Sequence, residues 1–449
     1  MQSPYSPASA TVDRKRDETS TLSIQMNMHQ PMNYETFVDT HNASIEPRRR
    51  LCEGMLAGMS DNDARDRLSG IRRTLRSLCA PDASLLLETP GGPINTHARY
   101  ELIELRRDIL FARSGFEALT LPAFYAPAVS DASADGVSDE LIHRSSRMTE
   151  QATGLAERLA GIHFDAFISD RDGTVNGYCA RYATSVQPAW VAIALSRFIH
   201  MCCDRAVLLT AGPMSGPGIA DLSTMRSDAA VLAASKGREY RLESGATGAE
   251  VLPKRGMRAL DHVAETVSRL HEHERYRLLP YIGSGLQRKH GMLAVAYQDA
   301  AGSVPADLAE SFRRDVLDAV AQANSDAGRQ VLGTEDTGRE IEVSLREGVA
   351  GDHGFDKGDG VAYLCGELGL KLEGRTVLVC GDTESDIPML ERVAAGGAHV
   401  YAVFAGVSAD VRERVERLAS EAVFVDSFEP LVAGLNMSVP EEEYEYDIL

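Results

Sequence analysis

Several features that would point to particular classes of protein are missing from this chain of 449 residues. Its 7 cysteines are scattered, odd in number and without a Cys-x-x-Cys pair, which argues against a disulfide framework and fits a reducing compartment. No apolar run approaches the ~18–20 residues that cross a bilayer, and the N-terminus lacks the pattern of a secretory signal. Basic residues number 46 against 66 acidic ones, and the resulting net charge of -20 repels nucleic acid and anionic lipid. We therefore expect a cytoplasmic protein with no nucleic-acid or membrane partner.

The chain does have enough apolar residues, 44% of the total, to form folded domains, and its length suits two or three of them. Residues 1–45 are rich in Ser, Thr, Pro, Asn and Gln without lasting periodicity, which predicts a disordered tail. Residues 46–160 carry apolar residues at spacings of three, four and seven, which predicts a helical region that ends in a linker. The acidic residues 437–449 predict a second tail.

Beyond the linker, short apolar strands that end in polar residues alternate with helical stretches. Such strands end at Asp170, at Thr210 and just before Asp382. This alternation predicts an α/β fold with a Rossmann-like parallel sheet over residues 161–212 and 352–436. Because reactive groups of such sheets gather at the carboxyl ends of the strands, we expect the three polar clusters to share one edge.

A long segment with its own character separates the two halves of this predicted core. Residues 213–351 mix strand-like and helical pieces without the regular alternation of the core. They predict a second, α+β domain inserted into the first.

The strongest chemical signal is the run from Asp170 to Thr174, at the end of the first strand. Asp170 and Asp172 can face one crevice once the chain turns, so that one carboxylate attacks phosphorus while the other handles protons. Gly173 permits the tight turn, and we place Gly173 and Thr174 beside the substrate. The alternative is an Asp-rich turn without chemistry.

Two further positions can hold a phosphoryl group. The hydroxyl of Thr210, together with the amides of Ala211 and Gly212, can bind phosphoryl oxygens. Lys357 can neutralise the phosphoryl group and the attacking carboxylate. A lone Thr or Lys is weak evidence, so these residues count through their positions in the predicted sheet.

A loop with two carboxylates follows the third apolar strand. Asp382 and Asp386 offer the oxygen ligands that a hard divalent cation such as magnesium prefers. The alternative is a helix N-terminus with acidic residues in its first turn, where the helix dipole favours negative charge.

Together and in this order, the four motifs resemble those of the haloacid-dehalogenase (HAD) superfamily, from Phe164 to the end of the sheet. The resemblance implies that Asp170 is a nucleophile that becomes an aspartyl-phosphate. Asp172 would protonate the leaving oxygen and then activate water. Thr210 and Lys357 would hold the phosphoryl oxygens.

The same resemblance implies a magnesium ion. It would sit on Asp170, the backbone carbonyl of Asp172 and Asp382, with Asp386 close behind. A carboxylate can attack a dianionic phosphate only if cations screen the repulsion, and the ion and Lys357 would provide that screening.

The position of the insertion resembles that of a C2-type cap, which roofs the active site and selects the substrate. The segment from Leu286 to Gln298 is similar to a cap strand of trehalose-6-phosphate phosphatases, and Arg288 and Lys289 would contact a sugar or phosphate there. The chain departs from that family at Gln287, where Glu is usual, and at Thr210 to Pro213, where Ser-Gly-Arg is usual. The resemblance therefore implies a sugar phosphate, with trehalose 6-phosphate first and another glycosyl phosphate as the alternative.

Two other functions remain open. A phosphomutase of the same superfamily would return the phosphoryl group to sugar, and a regulatory or scaffolding protein would use the fold without catalysis. The N-terminal helices carry no catalytic signature; they would pack on the core, mediate self-association or bind a partner such as the synthase that makes the substrate.

Overall fold

The computed structural model describes residues 32–125, 139–299, 302–346 and 354–440. The predicted tails up to residue 31 and from residue 441, and most of the predicted linker, lie outside these ranges. Within them, no helix combines the length and apolar character needed to cross a membrane.

The first third of the chain forms mainly helices, as predicted, together with three strands. Its elements are β1 (Met32–Asn33), α1 (Tyr34–Asn42), α2 (Ile45–Leu56), α3 (Asn62–Leu78), β2 (Ser84–Thr89), β3 (Gly92–His97), α4 (Arg99–Ser114), α5 (Pro122–Tyr125) and α6 (Asp139–Leu159).

Two parts of this region correct the sequence analysis. Residues 32–42, assigned to a disordered tail, form β1 and α1, where Asn33 caps the helix and Phe37 is fully buried. Residues 84–97, within the region predicted to be helical, form an antiparallel hairpin between β2 and β3, with Gly91 and Gly92 at its turn. The alternating buried residues Leu85 and Leu87 of β2 carry the period of a strand.

The predicted core and the inserted segment follow. Their first elements are β4 (Ala166–Asp170), α7 (Ala189–Cys202), β5 (Ala206–Leu209), α8 (Ile219–Leu222), β6 (Val231–Ala234), β7 (Glu239–Arg241) and β8 (Thr247–Ala249). Next come α9 (Lys254–Glu272), β9 (Leu286–Lys289), β10 (Met292–Ala296), α10 (Ala306–Asp326), β11 (Leu332–Asp336) and β12 (Glu340–Leu345). The chain then returns to the core with α11 (Lys357–Leu368), β13 (Thr376–Gly381), α12 (Ile387–Ala395), β14 (His399–Ala405), α13 (Ala409–Leu418), β15 (Glu421–Val425) and α14 (Phe428–Met437).

One large sheet organises the core, with strand order β15-β14-β13-β4-β5-β6-β7-β8. The strands from β15 to β6 are parallel, whereas β7 and β8 add an antiparallel edge. The predicted α/β fold class is confirmed. Because β13 lies beside β4, the ends of these two strands bring Asp382 next to Asp170.

The separate domain begins later than the sequence analysis placed it. Strands β6 to β8 fall within the predicted insertion 213–351, yet they pair with the core sheet. The reason is visible in Val231–Ala234, a fully buried apolar run typical of a central parallel strand. The antiparallel sheet of the inserted domain, in the order β11-β12-β10-β9, packs with α9 and α10 around its own apolar cluster. We call this domain the cap.

The N-terminal helices are packed onto the α/β core. A single cluster of buried apolar side chains runs from Leu102 and Leu155 of this region to Trp190 and Leu431 of the core. Trp190, the only tryptophan in the chain, donates its indole N–H to Glu104 of α4 at 3.0 Å. Of the roles expected for these helices, packing on the core is the one that the contacts show.

This shared cluster predicts that the two regions unfold together. Leu155 is 1% exposed and lies against Gly434 of α14, so Leu155→Ala should lower the free energy of unfolding by about 2–5 kcal/mol. Leu121→Ala, at a leucine that is 41% exposed, is the control and should change it by less than about 0.5 kcal/mol. Urea unfolding followed by Trp190 fluorescence and by circular dichroism measures both. Because the cap has its own apolar cluster, the contradicting outcome is a Trp190 transition that keeps the wild-type midpoint in Leu155→Ala.

Candidate active site

Three carboxylates and one ammonium group meet at the carboxyl edge of the sheet. Lys357 Nζ donates to Asp170 Oδ1 and to Asp386 Oδ1, each at 2.5 Å. Asp170, Asp382 and Asp386 each present an oxygen, and these oxygens lie within 4.8 Å of one another. The sequence motifs that supply these four residues are thus brought into one cluster.

Local backbone geometry places each of these side chains. Asp170 is the last residue of β4, and Asp382 directly follows β13. Asp356 caps α11 by accepting the amides of residues 358 and 359, which puts Lys357 at the first position of that helix. Asp386 Oδ2 accepts the Asp382 amide at 3.0 Å, so the loop after β13 is closed on its own carboxylate.

The electrostatics of the cluster fit a divalent cation. Burial raises the pKa of Asp170 to about 7, with a further contribution from the charge of Asp386, whereas Lys357 opposes the shift. Burial and the charge of Asp170 also hold the pKa of Asp382 well above its usual range. One ammonium group faces three carboxylates, so the cluster has an excess of negative charge and an all-oxygen donor set, which are the features of magnesium sites.

Gly173 and Thr174 shape this cluster. Gly173 has φ +98°, and a Cβ there would lie 2.1 Å from Asp382 Oδ2, so both the turn and the close approach require glycine. Thr174 Oγ1 lies 3.0 Å from Asp170 Oδ2 and 3.1 Å from Asp382 Oδ1. Thr174 therefore contacts two carboxylates at once. The contacts of Gly173 and Thr174 are with the carboxylate cluster; their predicted contact with substrate stays a prediction.

Asp172 lies beside this cluster, held by one of its two oxygens. Its Oδ1 accepts from Arg171 and, at 3.2 Å, from the hydroxyl of Ser185. Its Oδ2 is left facing Thr210 Oγ1 at 3.5 Å. Arg171 and Ser185 therefore fix the orientation of the Asp172 carboxylate through one oxygen, and the other oxygen faces the end of β5.

The second motif is partly occupied by its own hydrogen bonds. Thr210 Oγ1 accepts the Gly212 amide at 3.0 Å, so that amide is already engaged, while the intervening Ala211 is partly exposed. A Cβ on Gly212 would lie 2.1 Å from the Tyr182 hydroxyl. The structure thus brings Thr210 to Asp172 and uses Gly212 for close packing beneath Tyr182.

One face of the cap sheet is directed at this site. Met292 pairs with both Lys289 and Ser344, so Lys289 lies on the face of the cap sheet that also carries Glu342 and Glu340. Burial lowers the pKa of Lys289, while the charges of Glu342, Glu340 and Asp172 act in the opposite direction. Lys236 of the core reaches the same face, where its Nζ donates to Glu342 Oε2 at 2.8 Å. Charged groups from core and cap therefore meet above Asp172.

Arg288 is not brought to the site. Successive side chains of a strand point to opposite faces, and the register pairs Lys289 with Met292 but Arg288 with Leu293. Leu293 belongs to the apolar cluster that faces α9 and α10. Arg288 consequently lies on the helix side of the cap sheet, which corrects its assignment as a substrate contact.

The turn that presents Lys236 packs closely on α11. Ser235, Lys236 and Gly237 all have positive φ, at 53°, 59° and 99°, a conformation that favours glycine. A Cβ on Gly360 of α11 would lie 1.8 Å from the carbonyl oxygen of Lys236. Backbone therefore contacts backbone between this turn and the helix that begins at Lys357.

Sequence reasoning missed several residues of the site. Glu342 had a usable signal, because polar Glu340, Glu342 and Ser344 alternate with apolar residues along β12 and mark a second face. Tyr178 and Ser185 had none, since they lie in an irregular segment. The Tyr178 hydroxyl donates to Asp382 Oδ2 at 2.6 Å, while the residue stays 53% exposed beside the carboxylate cluster.

Comparison with known proteins identifies the family. The sequence profile of the trehalose-6-phosphate phosphatase C-terminal family matches residues 167–430, which is more than half of the chain. The chain belongs to this family. The resemblance to HAD sugar-phosphate phosphatases is thereby confirmed, and the matched span contains all four motifs.

Curated relatives extend the match. The UDP-forming alpha,alpha-trehalose-phosphate synthase 2 of Aphelenchoides avenae is 28% identical over 411 residues, covering 86% of this chain and 30% of its own length. The trehalose-phosphatase of Caenorhabditis elegans is 35% identical over 263 residues, covering 57% of this chain and 58% of its own length. The chain thus spans about a third to somewhat over half of these relatives. The first match must include the N-terminal region, because few residues follow position 430.

Among solved structures, the C-terminal domain of trehalose-6-phosphate phosphatase from C. albicans aligns with a TM-score of 0.41 and 13% identity, covering 65% of this chain and 96% of that one.

The carboxylate cluster predicts binding of a divalent cation. Asp382→Asn removes one negatively charged ligand. Loss of a residue that only hydrogen-bonds to a metal ligand lowers metal affinity by about tenfold or more, so we expect Asp382→Asn to lower magnesium affinity by more than about tenfold. Glu384→Gln is the matched control, since Glu384 lies in the same loop but contacts Arg414. Isothermal titration calorimetry with magnesium measures both variants. Equal affinity in the two variants would contradict the assignment.

Proposed function

We propose that this chain is a phosphatase that hydrolyses a sugar phosphate in two steps, through a phosphoryl group carried on Asp170. The observation that carries the proposal is the position of Asp170 itself. A buried carboxylate ends the central strand, its Oδ1 is 2.5 Å from Lys357 Nζ, and Asp172 follows two residues later with its Oδ2 at 3.5 Å from the Thr210 hydroxyl. This arrangement suits nucleophilic attack followed by proton transfer.

In the first step Asp170 attacks phosphorus and the bond to the sugar oxygen breaks. Lys357 offsets the repulsion between the carboxylate and the phosphate dianion, and Thr210 donates to a phosphoryl oxygen. Asp172 gives a proton to the departing oxygen, so the sugar leaves as a neutral alcohol.

In the second step water replaces the sugar. Asp172, now ionised, takes a proton from the water, whose oxygen attacks phosphorus and displaces the carboxylate of Asp170. Inorganic phosphate leaves, and both aspartates return to their starting states. Thr174 keeps its hydroxyl near Asp170 Oδ2 in the resting site, which limits rotation of the nucleophile.

Magnesium fits this site as a cofactor. Asp170, Asp382 and the backbone carbonyl of Asp172 would hold the ion, with Asp386 beside them, and it would supply positive charge for the transferring phosphoryl group. Lys357 is already shared between two of these carboxylates, so a further cation would balance the charge that remains.

Trehalose 6-phosphate is the first substrate to test. The relatives named trehalose-phosphatases support it, as does the polar face of the cap. Lys289, Glu342 and Lys236 offer charged donors and acceptors above the phosphoryl site, which suits an anionic, hydroxyl-rich ligand. A glycosyl phosphate of similar size would meet the same groups.

A synthase is a fitting partner. Longer relatives named synthases contain a region similar to this chain, with 86% of the chain matched in one of them. For this chain a synthase on a separate polypeptide would take the place of the synthase region of those relatives and deliver the sugar phosphate. A cytoplasmic location stays a prediction.

The activity is tested on a panel of sugar phosphates with magnesium: trehalose 6-phosphate, sucrose 6-phosphate, glucosylglycerol phosphate and glucose 6-phosphate. We expect one to release phosphate well above the rest, and EDTA to abolish release. Asp170→Asn should lower kcat at least about a thousandfold, because it removes the nucleophile. Isomerised sugar phosphate without free phosphate would favour a phosphomutase. No metal-dependent turnover of any sugar phosphate would contradict the proposal and favour a scaffold.

The role of the cap face is tested by a pair of neighbouring residues. Lys289→Ala should raise KM for the preferred sugar phosphate about tenfold or more, because it removes a charge-assisted contact. Arg288→Ala should leave KM nearly unchanged, since Arg288 lies on the opposite face of the same strand. Steady-state kinetics measure KM for both variants. A rise in KM for Arg288→Ala without a rise for Lys289→Ala would refute the assignment of Lys289 to the face of β9 that meets the substrate.

A further inference from the structure

The segment between Asn176 and Val186, here called the support loop, holds the oxygen by which Asp172 is anchored. Ser185 donates its hydroxyl to Asp172 Oδ1 at 3.2 Å, and its carbonyl accepts from Arg171 at 2.5 Å. Asn176 Nδ2 donates to Ser185 Oγ at 3.2 Å. The orientation of Asp172 therefore depends on the conformation of this loop.

The support loop is held in turn by α4 of the N-terminal region. Glu101 Oε1 accepts from Arg181 Nη2 at 2.7 Å and from Thr184 Oγ1 at 2.8 Å. Arg181 also donates to Thr96 Oγ1 at 2.5 Å and to the carbonyl of His97 at 2.9 Å. Glu101 and Arg181 are both buried, so water does not compete for these bonds.

Further contacts from the same region reach the loop at both of its ends. The Tyr100 hydroxyl donates to Asn176 Oδ1 at 3.2 Å, and its ring lies so close that a Cβ on Gly177 would be 2.9 Å from it. Asn42 Nδ2 of α1 donates to the carbonyl of Ala183 at 3.0 Å. The N-terminal region thus contacts the loop at several points.

We propose that Glu101, with Tyr100 in support, is a positioning residue for Asp172, so that the N-terminal region completes the active site through the support loop. This inference rests on the proposed function, because it assigns Asp172 the proton transfer to the leaving sugar. Neither Glu101 nor Tyr100 lies within the span matched by the family profile.

Charge explains why Glu101 is suited to this role. Burial, the largest single influence, would raise its pKa, but the charge of Arg181, the charge of His41 and hydrogen bonds together outweigh burial and lower the pKa overall, which favours the ionised side chain. Replacing it with a neutral amide leaves the Arg181 guanidinium buried without its counter-charge, a state that is strongly unfavourable. The loop is then expected to shift so that Arg181 regains solvent or another partner.

The test compares two leaving groups in single-turnover reactions with enzyme in excess. A sugar alkoxide needs a proton as it leaves, whereas p-nitrophenolate is a stable anion and needs little help. We expect Glu101→Gln to slow release of the sugar about tenfold or more, and to slow release of p-nitrophenolate by less than about threefold. Asp172→Asn should show the same selectivity more strongly, which establishes that the assay detects proton transfer.

Glu429→Gln is the matched control. Glu429 lies in α14 of the core and accepts from the buried Arg107 of α4 at 2.9 Å, so the substitution breaks a buried ion pair between the same two regions whose partner, Arg107, lies outside the support loop. It should leave the ratio of the two release rates unchanged. Tyr100→Phe, which removes only a hydroxyl, is the second variant; it should shift the ratio in the direction of Glu101→Gln even if the latter folds poorly.

Hydrogen exchange of the support loop gives a readout that does not depend on activity. Faster exchange of the amides from Asn176 to Val186 in Glu101→Gln, but not in Glu429→Gln, supports the proposal. The proposal would be overturned if Asp172→Asn is selective, so that the assay works, but Glu101→Gln and Tyr100→Phe change neither the exchange of the loop nor the ratio of the two release rates. If wild type releases neither leaving group, the proposed function fails, and with it this role of Glu101.

Discussion

Three carboxylates lie within 4.8 Å of one another at the edge of the sheet, and their mutual repulsion would separate them in an unconstrained chain. Two adjacent parallel strands fix Asp170 and Asp382, whose positions cannot be changed without breaking the sheet. Lys357 supplies the opposing charge from the first position of a capped helix. Gly173 and Thr174 pack against Asp170 and Asp382. The sheet, the capped helix and this turn together hold the like charges close to one another.

The parts of the site that could be predicted are those encoded locally. Buried parallel strands are continuous apolar runs, so the polar residues that end them, such as Asp170 and Asp382, stand out in the sequence. The pairing of Glu101 with Arg181 joins residues 80 positions apart and leaves no periodic trace. The strands β6 to β8 were misplaced for a related reason: a strand's pattern shows that it is buried, but not which sheet buries it.

The boundary of the family profile and the boundary of the folded unit differ. The profile begins within β4, yet the apolar cluster on one face of the sheet includes side chains from residues 37 to 159. Buried ion pairs cross the same interface, among them Arg107 with Glu429. The core in this chain is therefore covered by a region that is fitted to it in both shape and charge, and the folded unit is larger than the span of the four motifs.

The backbone contact between Gly237 and Gly360 has a mechanical consequence. No side chain lies between the two segments to absorb a displacement. The turn bearing Gly237 is joined to the cap through the Lys236–Glu342 ion pair and through the bond from the His290 amide to Ser235. Any displacement of the cap relative to the core would consequently be passed to the start of α11, so that Lys357 would move with the cap.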